Sequence, residues 1–107
     1  MNTTDRLLQL LEMLEESPGD SFLLFATAKE YEGLEDPEQA LDYYRLLLDT
    51  DPAYVGLYYH LGKLLEKQGQ TPAALEIYQK GMDIATAQHD RHSYNELAGA
   101  KLNLEME

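Results

Sequence analysis

The 107-residue sequence predicts an all-α protein, one domain of about six antiparallel helices arranged as a repeat. Three observations predict it. Apolar residues recur at spacings of three and four between short breaks containing Pro or Gly. No segment alternates apolar and polar residues over a strand's length. The sequence also matches itself when shifted by 34 residues, a period expected of stacked helical units.

The first helix, over 5–16, carries Leu7, Leu10, Leu11 and Leu14 on one face, with Glu12, Glu15 and Glu16 off it. Ser17-Pro18-Gly19-Asp20 stops it. The second apolar pattern is Phe22, Leu23, Leu24, Phe25, Ala28 and Tyr31, with Gly33 marking its end. Asp36 suits the cap of the third helix, Pro37 its first position, and Gln39 can reach back. That helix is expected to bury Ala40, Leu41, Tyr44, Leu47 and Leu48, and Asp51-Pro52 ends it. The fourth carries Tyr58, Leu61, Gly62 and Leu65 and ends near Gly69. Thr71-Pro72 caps a fifth with Ala74, Leu75, Ile77, Tyr78 and Met82, running on toward Gln88. Ser93 to Glu96 reads as the capping box of a sixth, with Leu97, Ala98 and Leu102 on one face.

Under the 34-residue shift, Leu7 falls on Leu41, Leu14 on Leu48, Pro18 on Pro52 and Phe25 on Tyr59. Ala28 falls on Gly62, Lys29 on Lys63, Glu32 on Glu66, Ala40 on Ala74, and Tyr44 on Tyr78. Small residues at 28, 62, 40 and 74 let paired helices approach, and Tyr31, Tyr44, Tyr58 and Tyr78 are the expected core fillers. Tyr43, Tyr54, Tyr59 and Tyr94 have no obvious core duty and suit either an exposed anchor or packing with a wet hydroxyl.

Tyr58-x2-Leu61-Gly62-x2-Leu65 followed by Ala74-x3-Tyr78 resembles the tetratricopeptide repeat pattern, with Tyr58 for its tryptophan and Leu65 for its tyrosine. The earlier copy, Leu24-x2-Thr27-Ala28-x2-Tyr31, Ala40-x3-Tyr44 and Pro52, is looser. The resemblance covers about residues 5–88 and departs after Met82, where no proline arrives at the next period. It implies a right-handed α-solenoid within the single domain 1–107: a half-repeat helix at 5–16, repeats at 20–53 and 54–88, and a capping helix at 93–105.

The same resemblance implies a protein-interaction module whose first helices line a concave groove for a peptide or protein segment. Here that groove is expected at Phe22, Phe25, Lys29 and Glu32, and at Tyr59, His60, Lys63 and Glu66. Spacings of four and three keep each aromatic–Lys–Glu stripe on one helix face. Two lysines over an apolar floor suit an acidic or carboxylate group of a partner; the bland reading is a pair of solubilising Lys–Glu contacts over a half-buried aromatic. The clamp by which some relatives hold chaperone tails is poorly matched, because Phe25 and Tyr59 stand where its first Lys or Asn belongs.

Twenty acidic residues against eight basic ones leave a formal net charge of −12. Nucleic acid and anionic membrane are disfavoured partners, since both need a basic footprint. The acid is concentrated: residues 1–53 hold thirteen acidic and three basic residues, residues 54–107 seven and five. There is no cysteine, which excludes disulfides, thiolate metal sites and cysteine nucleophiles and fits the cytoplasm, as does the absence of any signal-like or membrane-spanning run.

Other motifs fail on spacing. Gly56 to Gly62-Lys63 has five residues between glycines, and Leu64 stands where a phosphate loop needs Ser or Thr. Asp49-x-Asp51 runs into Pro52 and lacks the glycine of a calcium loop. His89, His92 and Glu96 are too few and too dispersed for a metal site. No carboxylate pair is singled out for acid–base work. The expectation is a non-catalytic adaptor without cofactor or metal. The alternative is a self-associating scaffold subunit, a homo-oligomer.

Overall fold

The computed structural model describes residues 3–107. They form six α-helices and, among the described residues, no strand: α1 (Thr3–Glu16), α2 (Ser21–Gly33), α3 (Pro37–Thr50), α4 (Gly56–Lys67), α5 (Thr71–Ala87) and α6 (Arg91–Glu105). Contacts gather them into two compact units, Met1–Tyr54 and Val55–Glu107.

In the first unit α2 is central, packing on both α1 and α3. Asp20 caps α2 by accepting from Leu23 N at 3.0 Å, and Asp36 caps α3 by accepting from Gln39 N at 3.3 Å. Pro37 takes the first turn of α3, where its missing N–H costs nothing. Leu14, Leu23, Leu24, Ala28, Ala40, Tyr44 and Leu47 form the core. Ser21 Oγ donates to Asp51 Oδ2 at 2.6 Å, tying the start of α2 to the residue after α3.

In the second unit α5 is central, between α4 and α6. Leu57, Tyr58, Leu61, Leu64, Leu65, Ala74, Tyr78, Ala85 and Leu97 are the most enclosed side chains. Two glycines permit the close packing. A Cβ on Gly62 would lie 2.7 Å from Tyr78 Cδ1, and one on Gly81 would lie 2.8 Å from Leu97 Cδ1 and 2.9 Å from Tyr58 Cγ.

The 34-residue period is visible in the backbone. Ser17 N donates to Met13 O, and Asp51 N to Leu47 O; Asp20 N donates to Ser17 O, and Tyr54 N to Asp51 O. At the helix corners Asp36 N donates to Tyr31 O and Gln70 N to Leu65 O, each at 2.9 Å. The α5–α6 corner is a third copy, with Asp90 N on Ala85 O at 2.9 Å. In all three a left-handed residue precedes the closing amide: Glu35 (φ 59°), Gly69 (φ 75°) and His89 (φ 57°). Gly33 ends α2, as its position indicates, but the left-handed turn falls two residues later on Glu35.

Several local expectations need correction. The sixth helix starts at Arg91, not Ser93, because Asp90 is the better acceptor: it takes Ser93 N at 3.0 Å and Ser93 Oγ at 2.7 Å. Thr71 is inside α5, whose cap residue Gln70 makes no side-chain bond. On α6 the buried face is Leu97, Ala100 and Leu104, and Leu102 is 56 % exposed. On α2, Phe22 belongs to no core and is 65 % exposed. Tyr31 is only half-buried; it stacks on Tyr43 with ring centroids 5.6 Å apart. No helix among the described residues is long and apolar enough to cross a membrane.

Candidate functional site

Each stripe lies on one helix, and the two differ in their local chemistry. On α2, Phe22 is exposed, Phe25 half-buried, Lys29 exposed and Glu32 half-buried. The Phe25 ring leans on Tyr54 (centroids 5.4 Å) and Tyr44 (6.3 Å). Tyr44, from α3, is fully enclosed, and its hydroxyl makes no hydrogen bond of normal geometry. Burial raises its pKa, and the neighbouring Glu32 carboxylate raises it further through charge and hydrogen-bond attraction. Thr27 Oγ1, beneath the stripe on the same helix, is also buried without a partner.

On α4 the equivalent groups are joined. The Tyr78 hydroxyl, from α5, donates to Glu66 Oε2. The same oxygen lies 3.6 Å from Lys63 Nζ. Lys63 also sits 5.7 Å from the centroid of the Tyr59 ring, and His60 meets that ring edge-on at 5.6 Å. Burial and Glu66 together raise the Tyr78 pKa. Tyr59, Lys63, Glu66 and Tyr78 thus form a continuous ring–cation–carboxylate–phenol chain. The Lys–Glu contact over an aromatic that the spacing allows is present on α4.

The phenols of Tyr44 and Tyr78 are what sequence reasoning missed beneath the stripes. Both read as core fillers by periodicity, yet each sits against the carboxylate of its stripe. The signal was available: Glu32 with Tyr44 and Glu66 with Tyr78 recur at the same separation.

The equivalent positions 28 and 62 differ by a single methyl. Ala28 occupies the position of Gly62 and is fully enclosed. At Gly62 a Cβ would collide with the Tyr78 ring.

Elsewhere, an open recess at the α5–α6 corner is lined by His89, Arg91, Tyr94 and Asn95. Among the described residues no group of three or more His, Asp or Glu is placed to hold a metal ion.

The tetratricopeptide repeat family model matches residues 33–93, more than half of the chain. The chain belongs to the tetratricopeptide repeat family. A tetratricopeptide repeat domain protein from Salinibacter ruber, solved as a crystal structure, is 38 % identical over 80 % of this chain and 97 % of its own, with a TM-score of 0.77. A protein from Bordetella parapertussis, solved in solution, is 29 % identical over 94 % of this chain and 87 % of its own, with a TM-score of 0.80. PcrH, solved in complex with the chaperone binding region of PopD, is 14 % identical over 97 % of this chain and 79 % of its own, with a TM-score of 0.89. At that identity the likeness to PcrH is one of fold. No curated protein matches the sequence. The six-helix, strand-free architecture of the described residues is the tetratricopeptide helical repeat.

Proposed function

We propose that this tetratricopeptide repeat chain is a non-catalytic interaction module that offers partner proteins two docking stripes, one on α2 and one on α4. The observation that carries the reading is the stripe itself. The same order of aromatic, lysine and carboxylate recurs 34 residues apart on helices whose opposite faces are core. Its aromatics stay partly open, as docking anchors must. PcrH, of like fold, was solved with a segment of another protein bound. The lysines favour an acidic partner group, but at Lys63 that group competes with Glu66 at 3.6 Å. The cysteine-free, acidic composition fits work in the cytoplasm.

The test is selection of a random 12-residue displayed peptide library on the protein, followed by NMR shift mapping of the selected peptides. Shifts are expected on the α2 and α4 stripes, with binding weakened at least tenfold by Phe22→Ala combined with Tyr59→Ala. Peptides that map elsewhere and ignore both substitutions would overturn the reading. A second reading, self-assembly, rests on exposed Leu8 and Met13 on α1 and Leu102 and Met106 at the end of α6. A mass independent of concentration by light scattering would remove it.

A further inference from the structure

The helices alternate in kind along the chain. α2 and α4 are the first helices of their repeats, and α3 and α5 the second. α1 stands in the register of a second helix. Leu7 and Leu14 fall on Leu41 and Leu48, and Ser17 N closes on Met13 O as Asp51 N closes on Leu47 O. α6 stands in the register of a first helix. Asp90 caps it through Ser93 N, as Asp20 caps α2 through Leu23 N. Aligned on those caps, Tyr94-x2-Leu97-Ala98 falls on Leu24-x2-Thr27-Ala28 and repeats Tyr58-x2-Leu61-Gly62. Among the described residues no first helix precedes α1 and no second helix follows α6.

Both lack a cover where the repeats have one. Within a repeat the second helix turns one set of positions to the first: Ala40, Tyr44 and Leu47 in α3, Ala74, Tyr78 and Gly81 in α5, all enclosed. On α1 those positions are Arg6, Leu10 and Met13; Leu10 is half-buried and Met13 is 52 % exposed. The first helices show the same contrast. Leu24 and Tyr58 are enclosed, whereas Tyr94 is 38 % exposed. Leu97, which packs toward Gly81 of α5, is as buried as Thr27 and Leu61. The open side of α6 is therefore the side that a second helix would cover.

The two open faces match each other. In the repeats Tyr78 donates to Glu66, and Tyr44 lies beside Glu32. At the ends both members change together: Leu10 stands at the tyrosine position and Leu102 at the glutamate position. A polar pair is thus replaced by an apolar one, half on each face. The charges agree as well. Gly81 lies at Tyr58 and Gly62 at Tyr78, so paired helices run antiparallel. That direction brings Glu12, Glu15 and Glu16 of α1 to the end of α6 that carries Arg91 and His92. Three carboxylates at the end of α1 oppose its dipole, and they gain from a cation and a helix N-terminus outside it. Arg6 comes to Glu105; it is bulkier than the alanine of the repeats, and Glu30 holds its head group at 3.0 Å. α1 against α1 would oppose two helices of four carboxylates and one cation each, whereas α6 carries two of either sign.

We propose that α6 of one copy pairs with α1 of a second copy, completing a repeat between two chains. The contact is head-to-tail. Each dimer keeps one open α1 and one open α6, so further copies can add. This pairing rests on the self-assembly reading, not on the stripes of α2 and α4. Sedimentation velocity follows the mass of the full chain from the micromolar to the millimolar range. The samples are wild type, Met13→Asp on α1, Leu102→Glu on α6, and an equimolar mixture of the two variants. Both positions are more than half exposed, and thermal melts check that the variants fold. If either does not, Met13→Gln or Leu102→Gln takes its place. Wild type is expected to grow past the dimer with concentration, and each variant alone to stay a monomer. The mixture should form a dimer and nothing larger, because the intact α6 of one variant meets the intact α1 of the other. A wild type that stays monomeric overturns the pairing and the self-assembly reading together. Association by either variant alone, or a mixture that stays monomeric while wild type associates, overturns the pairing and leaves self-assembly standing.

Discussion

Tyrosine-to-phenylalanine substitution at two positions 34 residues apart should have opposite effects on stability. Tyr44 and Tyr78 are both fully enclosed. Phenylalanine keeps the ring and removes one hydroxyl. At Tyr78 that hydroxyl donates to Glu66, a charge-assisted bond. Its loss costs about 1.5–3 kcal/mol. At Tyr44 the hydroxyl is buried without a normal bond. An unsatisfied buried group costs about 1–3 kcal/mol. Glu32 attracts this hydroxyl and offsets part of that cost, so Tyr44→Phe should gain about 1 kcal/mol, the low end of the range. In a domain of this size 1 kcal/mol is worth roughly 4–8 °C in Tm. Tyr44→Phe should therefore raise Tm by about that amount, and Tyr78→Phe should lower it by about 6 °C or more. Thermal unfolding by circular dichroism reads the sign, and amide exchange assigns each change to its unit. If both substitutions lower Tm equally, Glu32 holds the Tyr44 hydroxyl as Glu66 holds that of Tyr78, and the reasoning fails.

Four further outcomes follow from the geometry. Glu35→Gly should stabilise by about 0.5–1 kcal/mol in urea titration, because a left-handed non-glycine is strained and Gly69 already fills the equivalent turn. Gly62→Ala should destabilise by about 1–3 kcal/mol, since the new methyl enters the Tyr78 ring; an unchanged midpoint would mean that α4 and α5 pack loosely enough to admit it. The Asp90 carboxyl is held below the ordinary carboxylate range, first by Ser93 N and then by the Ser93 hydroxyl. Its capping contribution should be present above that range and lost as pH falls through the lowered value, and Asp90→Ala should speed amide exchange in the first turn of α6. Burial raises Tyr31, Tyr44, Tyr54 and Tyr78. The unfolded chain then sheds phenolic protons near pH ~10 that the folded chain keeps. Stability should be intact below that pH and fall above it, with part of the tyrosinate absorbance appearing only on unfolding.

Helix number, order and pairing were legible because each rests on short-range signals. Pro37 and Asp36 start a helix wherever they occur together in this way, and apolar spacing selects the face of α4 without reference to the rest of the chain. The start of α6 was misplaced because two side chains three residues apart can each cap a helix, Ser93 for the amide of Glu96 and Asp90 for that of Ser93. Asp90 wins over Ser93 by accepting from both its backbone and its hydroxyl, and spacing alone does not rank them. The face of α6 was misjudged because Leu97 is shared by two alternative stripes, one through Leu102 and one through Ala100 and Leu104. The α2 and α4 stripes were legible as surface patterns. What lay beneath them was not. Which carboxylate a buried phenol meets depends on how two helices pack, and the spacing along one helix does not fix that.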